Sequence, residues 1–138
     1  MPDKKIQEKY VLYQLLAQNL EALKQQLQII EQQFVETRTT MESVENIEKT
    51  NEKNDIFLSI GSGCYGKGKI TDRKDILVNV GAGILINKKI ADAKSFLRER
   101  ISTLERMARE TQGEMELVAK QMNELGIEIQ ELSQKEKS

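Results

Sequence analysis

The sequence predicts an α+β chain: a long antiparallel two-helix coiled coil with a central insert of two β-hairpins. Three observations carry this reading. Apolar residues step by alternating threes and fours from Ile6 to Val44 and again from Ile90 to Leu132. Between these stretches, Ile56 to Lys88 alternates apolar, β-branched runs with clusters of Gly, Asp and Asn, the pattern of short strands joined by turns. The two heptad stretches also match in length, 38 residues from Ile6 to Val44 and 38 from Lys94 to Leu132. Equal arms are what a chain folded back on itself from a common root requires. Residues 1–55 therefore read as the first arm, 56–88 as the hairpin assembly region and 89–138 as the second arm.

In the first arm, with Tyr13 at position a and Leu16 at d, every later member keeps phase: Leu20, Leu23, Leu27, Ile30, Phe34, Thr37, Met41 and Val44. A repeat averaging about 3.5 residues winds slowly around a straight helix and favours a left-handed supercoil. Gly and Pro are absent between Asp3 and Asn51, so nothing interrupts the helix before Asn51 and Asn54 offer a stop.

The root divides into four expected strands, Ile56–Ile60, Cys64–Ile70, Ile76–Val80 and Ile84–Asn87, broken at Gly61-Ser62-Gly63, at Thr71–Asp75 and at Gly81-Ala82-Gly83. In the third strand Ile76, Val78 and Val80 share one face and Asn79 turns the other way, a half-buried alternation. A sheet this small has open edges and no helix of its own to cover it. Native proteins pair or cover such edges, so the root is expected to finish its sheet with other subunits. The expected assembly residues are Ile56, Leu58, Ile60, Ile76, Val78, Val80, Ile84 and Ile86.

The second arm resumes the rhythm through Leu97, Ile101, Leu104, Ala108, Thr111, Met115, Val118, Met122, Leu125, Ile129 and Leu132, with Gly113 at an outward f position and Gly126 at e beside the seam. Folded back from the root, the helices pair with residue numbers summing to about 138. Each arm reaches on the order of 60 Å at about 1.5 Å per residue. A parallel homodimer satisfies the heptads equally well but leaves the matched lengths unexplained.

At the end away from the root the first arm carries more apolar residues than its seam uses. Tyr10, Val11, Leu12 and Leu15 fall at e, f, g and c, and Ile127 of the second arm falls at f. Together with Ile6, Tyr13, Leu125 and Ile129 they make the candidate binding tip. Apolar surface gathered at an exposed end marks a binding site or a contact between copies; reversible capture of something apolar is the sharper reading.

Composition closes off other classes. Six aromatic residues and no Trp argue against one compact globule, and Lys and Arg nearly balance Asp and Glu, so there is no basic footprint for nucleic acid. From Ile56 to Lys89, six basic residues stand against two acidic ones, +4 net, which leaves −5 of the total −1 on the arms; the excess reads as solvated loops. Cys64 is the only cysteine and His is absent. No intrachain disulfide is possible, the usual zinc, haem and Cys–His sites are excluded, and a reducing cytoplasm fits. The N-terminus is too polar for a signal peptide, and no apolar run approaches a membrane span. Gly61-Ser62-Gly63-Cys64-Tyr65-Gly66 matches G-x-G-x-x-G, but Lys67-Gly68-Lys69-Ile70 after it reads as strand, where a dinucleotide site needs a helix N-terminus. Asp72 and Asp75 flank Arg73 and Lys74 in a polar turn, and Cys64 has no His to serve as its base. No catalytic residue, metal site or cofactor is expected, and no enzyme.

The long heptad helix, Gly61-Ser62-Gly63, the run Asp75-Ile76-Leu77-Val78-Asn79-Val80-Gly81-Ala82-Gly83 and the second heptad helix together resemble the alpha-class subunits of archaeal prefoldin. Four strands between the arms, where a single hairpin would mark the beta class, carry the class distinction. Ser59 stands where many relatives have Pro, and Lys89 where a capping Thr or Ser is common, which leaves Asn87 as the candidate cap. The resemblance implies an ATP-independent holdase of two alpha-class and four beta-class subunits. Its hairpins would complete a β-barrel with other subunits, and the tips of its coiled coils would hold unfolded client proteins and deliver them to the cytosolic (group II) chaperonin. No nucleic acid, membrane or cofactor enters that scheme. The alternative from another class is an oligomeric coiled-coil scaffold without chaperone activity.

Overall fold

The computed structural model describes residues 4–137. Along them run α1 (Lys4–Lys49), β1 (Ile56–Gly61), β2 (Cys64–Gly68), β3 (Asp75–Asn79), β4 (Leu85–Lys89) and α2 (Ile90–Lys137). The chain separates into two compact units: the described residues of Met1–Gln33 and Leu104–Ser138, and Phe34–Thr103. Both helices contribute to both units.

The first unit is a pair of antiparallel helices. Its buried residues are Leu23 and Ile30 on α1 and Leu104, Thr111, Val118 and Leu125 on α2, every one at d of the heptad. The a residues Tyr13, Leu20, Leu27, Met115, Met122 and Ile129 are half-buried. Both helices are thus turned so that d, more than a, faces the partner. Two contacts set the register. Lys9 forms an ion pair with Glu128, and a Cβ added at Gly126 would lie 3.9 Å from Cε2 of Tyr13. Those numbers sum to 137 and 139, the register expected for arms of equal length. Glu128 sits at g, and Lys9 at d, where its ammonium reaches out of the seam along a buried stem.

In the second unit the same logic continues with Thr37 and Val44 on α1 and Ile90 and Ala93 on α2, all buried. Lys94 pairs with Glu48 across the two helices. No buried side-chain oxygen or nitrogen among the described residues lacks a partner, so the threonines at d are accommodated without an orphaned hydroxyl.

Helix α1 stops where local hydrogen bonds offer its backbone an alternative. Thr50 Oγ1 donates to the Asn46 carbonyl (2.6 Å), and Asn51 Oδ1 accepts from the Lys53 amide (3.1 Å) in an Asx turn. The Arg73 guanidinium donates to the Thr50 carbonyl at 2.9 Å, tying the second hairpin to the end of α1. Asp72 Oδ1 accepts from the amides of Lys74 (2.8 Å) and Asp75 (3.2 Å) and turns the chain into β3. The acidic residue of that polar loop is therefore turn chemistry.

The strands form two separate antiparallel hairpins, β1 with β2 and β3 with β4. Their bounds differ from the sequence expectation by one or two residues at most ends. β2 stops at Gly68, and β4 runs on to Lys89. The Ile90 amide then donates to the Lys74 carbonyl at 2.8 Å. Strand passes directly into helix there, and one of the helix's unpaired first-turn amides is met by backbone of the preceding hairpin. Asn87 lies inside β4 and caps nothing.

Both hairpin turns are built alike. Gly61, Ser62 and Gly63 have φ of 109°, 51° and 77°; Gly81, Ala82 and Gly83 have 126°, 52° and 74°. A φ beyond 100°, as at Gly61 and Gly81, is essentially closed to residues with a Cβ. Gly113 and Gly126, by contrast, sit within α2, where an added Cβ meets nothing closer than 3.9 Å. Gly113→Ala and Gly126→Ala are each expected to raise stability in urea unfolding by about 0.5–1 kcal/mol. Gly81→Ala, at similar cost in volume, is expected to lower it by about 1 kcal/mol or more.

Candidate functional site

Two groups of apolar side chains are left largely open within their units. The first is on the hairpins. In β3–β4 the cross-strand pairs Ile76–Lys88 and Val78–Ile86 lie on one face, with Val80 and Ile84 beyond them at the turn. Ile76 and Val78 are half-covered, whereas Val80, Ile84 and Ile86 are open to solvent. In β1–β2 Ile56 and Leu58 lie opposite Gly68 and Gly66. Leu58 leans over this glycine side: a Cβ at Gly68 would come within 3.1 Å of its Cδ1. Ile60 falls at the irregularity between Ser59 and Gly61 and is 73% exposed.

All eight expected assembly residues thus share hairpin surface, but they are only part of it. Phe57, Tyr65, Leu77 and Leu85 are equally open, Phe57 at 69%. The pairings Phe57–Lys67, Ser59–Tyr65, Leu77–Asn87 and Asn79–Leu85 put them on the opposite faces. The missed signal was in the strands themselves. Ile56-Phe57-Leu58 and Ile76-Leu77-Val78 are apolar at both parities, which reads as strand buried on both faces. Each hairpin therefore offers two apolar faces, as well as strand edges with unpaired backbone groups.

The second group lies in the other unit, where α1 begins and α2 finishes. Tyr10, Val11, Leu12, Leu15 and Ile127 are between 48 and 56% exposed. Of the remaining expected tip residues, Ile6, Tyr13 and Ile129 are half-buried along the seam, and Leu125 is buried at 8% exposure. Leu125 is at d and spends its surface on the other helix, so it offers no open contact. It still forms the floor of a groove of about 310 Å³ lined by Leu12, Leu16, Gln121, Glu124, Leu125 and Glu128. Ile29 and Leu117, both outward c residues of the same unit, are exposed as well; neither breaks the a/d rhythm, and only a search for apolar residues outside it would have found them.

No cluster of three or more Cys, Asp or Glu with metal-binding geometry occurs among the described residues. None of the helices in the described residues is long and apolar enough to cross a membrane. What both surfaces offer is apolar area on strand and on helix, the requirements of assembly and of binding. The Prefoldin family model, a prefoldin subunit, matches residues 16–135.

The chain belongs to the prefoldin family.

This prefoldin chain is 31% identical over 125 residues to prefoldin subunit alpha of Pyrococcus horikoshii, across 90% of its own length and 84% of the relative's. It is 31% identical over 113 residues to prefoldin subunit alpha of Methanoculleus marisnigri, across 82% and 75%. In fold it is similar to a chain of the filamentous PFD of Methanocaldococcus jannaschii, with a TM-score of 0.73 over 88% of this chain and 98% of that one, at 15% identity. Membership makes the chain a chaperone-type subunit, in a non-enzymatic family whose members assemble with other prefoldin subunits.

Ile84 tests which surface serves that assembly. It is 59% exposed in the single chain, so Ile84→Asp costs the isolated hairpin about 0.5 kcal/mol or less. Buried in an interface, the same carboxylate would be an unpaired charge. Sedimentation is expected to show loss of the oligomer with the helical circular dichroism retained. An unchanged mass would remove this face from the interface.

Proposed function

We propose that this prefoldin chain acts in the cytoplasm as a subunit of an ATP-independent holdase, assembled from two alpha-class and four beta-class subunits. The hairpins close into β-barrels with neighbouring subunits. The helical ends capture non-native proteins and deliver them to the cytosolic (group II) chaperonin. The observation that carries the reading is the group of five outward apolar residues at the end of the helical pair, Tyr10, Val11, Leu12, Leu15 and Ile127. Solvated helix needs none of them, and the seam is complete without them.

Such contacts are weak singly. Burying one side chain of this size against a client is worth roughly 1.5–3 kcal/mol, and part of that is spent on ordering the client. Several copies around one cavity bind by avidity. Weak individual contacts also allow release without nucleotide, because a chaperonin competing for the same client displaces them one at a time.

Val11→Ser, Leu12→Ser and Leu15→Ser combined are expected to cost about 1 kcal/mol or less per site in stability, since all three lie outside the seam. Suppression of aggregation of a diluted, denatured enzyme is expected to fall severalfold, while sedimentation and circular dichroism stay at wild type. An assembled, helical triple variant that protects the client fully would overturn capture at this surface and leave the scaffold reading in its place.

A further inference from the structure

The exposed leucines of the helical unit are not spread around it. In an antiparallel pair the g and c positions of both helices share one side, and the lining of the groove, Leu12, Gln121 and Glu128 at g with Glu124 at c, agrees with that. Leu12, Leu15, Ile29 and Leu117 all belong to this side. The opposite side, made of e and b positions, has Tyr10 as its one exposed large apolar residue in this unit. Given pairing at a sum near 138, Leu117 is level with residue 21 (138 − 117), so the four lie in the order Leu12, Leu15, Leu117, Ile29. Seventeen residues of helix separate Leu12 from Ile29, about 25 Å at 1.5 Å per residue. An extended peptide covers that with about eight residues.

The same side is the acidic one. Its g and c positions in this unit carry Glu8, Glu110, Glu114, Glu124, Glu128 and Glu131, against Lys5 and Lys135 near the free end. Glu110 pairs with Arg106 at 3.4 Å and Glu128 with Lys9. The other four glutamates have no ionic partner among the described residues. At the groove itself an apolar floor of Leu12, Leu16 and Leu125 is rimmed by Gln121, Glu124 and Glu128.

We propose that this side extends the apolar end of the coil into a client-binding track, and that its preferred ligand is an extended apolar segment flanked by Lys or Arg. The inference rests on the capture reading above and narrows it to a substrate class. Apolar burial supplies the attraction for any non-native chain. The surrounding glutamates oppose segments flanked by Asp or Glu and favour those with basic flanks, so discrimination comes from charge while affinity comes from area. Because the charges are exposed, the preference weakens as salt approaches a Debye length comparable to their spacing.

The test uses the assembled protein and two labelled probe peptides that share one eight-residue apolar run, one flanked by lysines and the other by glutamates. Fluorescence anisotropy at low salt is expected to show the lysine-flanked peptide binding about tenfold more tightly, as two or three exposed ion pairs allow, with the ratio falling towards one in molar salt. Glu114→Gln with Glu124→Gln is expected to shrink the ratio. Glu21→Gln with Glu116→Gln, on the opposite side, is expected to leave it. Leu15→Ser with Leu117→Ser is expected to weaken both peptides together. Equal binding of the two peptides at low salt, a preference indifferent to salt, or the same loss from both glutamate pairs overturns the inference while aggregation suppression persists. Mass that rises with concentration and falls in the leucine variant would assign the track to a second copy and overturn it too. A wild-type assembly that suppresses no aggregation instead defeats the capture reading itself.

Discussion

The constraint on which the rest depends is that one seam supplies almost all the burial in this chain. The buried helical residues lie almost all at d, those at a are only half-buried, and no large side chain among the described residues is completely hidden from solvent. A two-helix seam is one residue deep, so it has no interior in which further apolar residues could be stored. Every apolar side chain placed outside it remains on the surface. Seventeen large hydrophobic residues are exposed among the described residues, against eight buried apolar ones. That balance suits a subunit of an assembly, and most of the surplus gathers in two places.

The two places differ in the kind of partner they suit. On the hairpins the apolar residues ride on strands whose backbone groups are half unpaired, so an incoming strand gains hydrogen bonds as well as burial and is held in a fixed register. At the free end of the helical pair the backbone is already satisfied within each helix. Only side-chain contact is on offer there, without directional hydrogen bonds, and a ligand of almost any sequence can share in it. Strand completion suits permanent assembly, and helix-surface contact suits reversible binding. The charge distribution follows the same division, with basic residues about the hairpins and glutamates along the helical track.

Most of the fold was legible in the sequence because it depends on periodicity. Heptad phase placed the seam from Leu16 to Val44 and from Leu97 to Leu132, and equal arm lengths placed the register that Lys9–Glu128 and Tyr13–Gly126 display. The turn glycines were legible too, since a backbone with φ above 100° restricts the choice of residue so severely. The rest depended on facts that periodicity does not encode. The heptad treats a and d alike, so the rotation that buries d and leaves a half-open was invisible. The cap of α2 was misassigned to Asn87 because the Ile90 amide is satisfied by the carbonyl of Lys74, sixteen residues earlier in the chain. Leu125 was grouped with the tip by position along the helix, yet its d phase already committed it to the seam. Phe57, Leu77 and their neighbours were passed over because alternation was sought in strands that need to be apolar on both faces.

Separating the two surfaces has an energetic consequence for how such a subunit can vary. Because the tip residues lie outside the seam, their replacement changes folding free energy by little, and because they lie in a different unit from the hairpins, it leaves the assembly surface untouched. Under the proposed function, affinity for a client could then be tuned without a compensating change in the hairpins, as distant sites contribute additively. The reverse does not hold. Under the proposed function, loss of the hairpin contact would remove not one binding site but the gathering of several coils around one client. With each coil contributing only weak contacts, the sum would collapse with the assembly even though every helical end is chemically intact. On that reading dependence on assembly is built into the binding mode: a single coil with contacts strong enough to work alone would be too slow to let go.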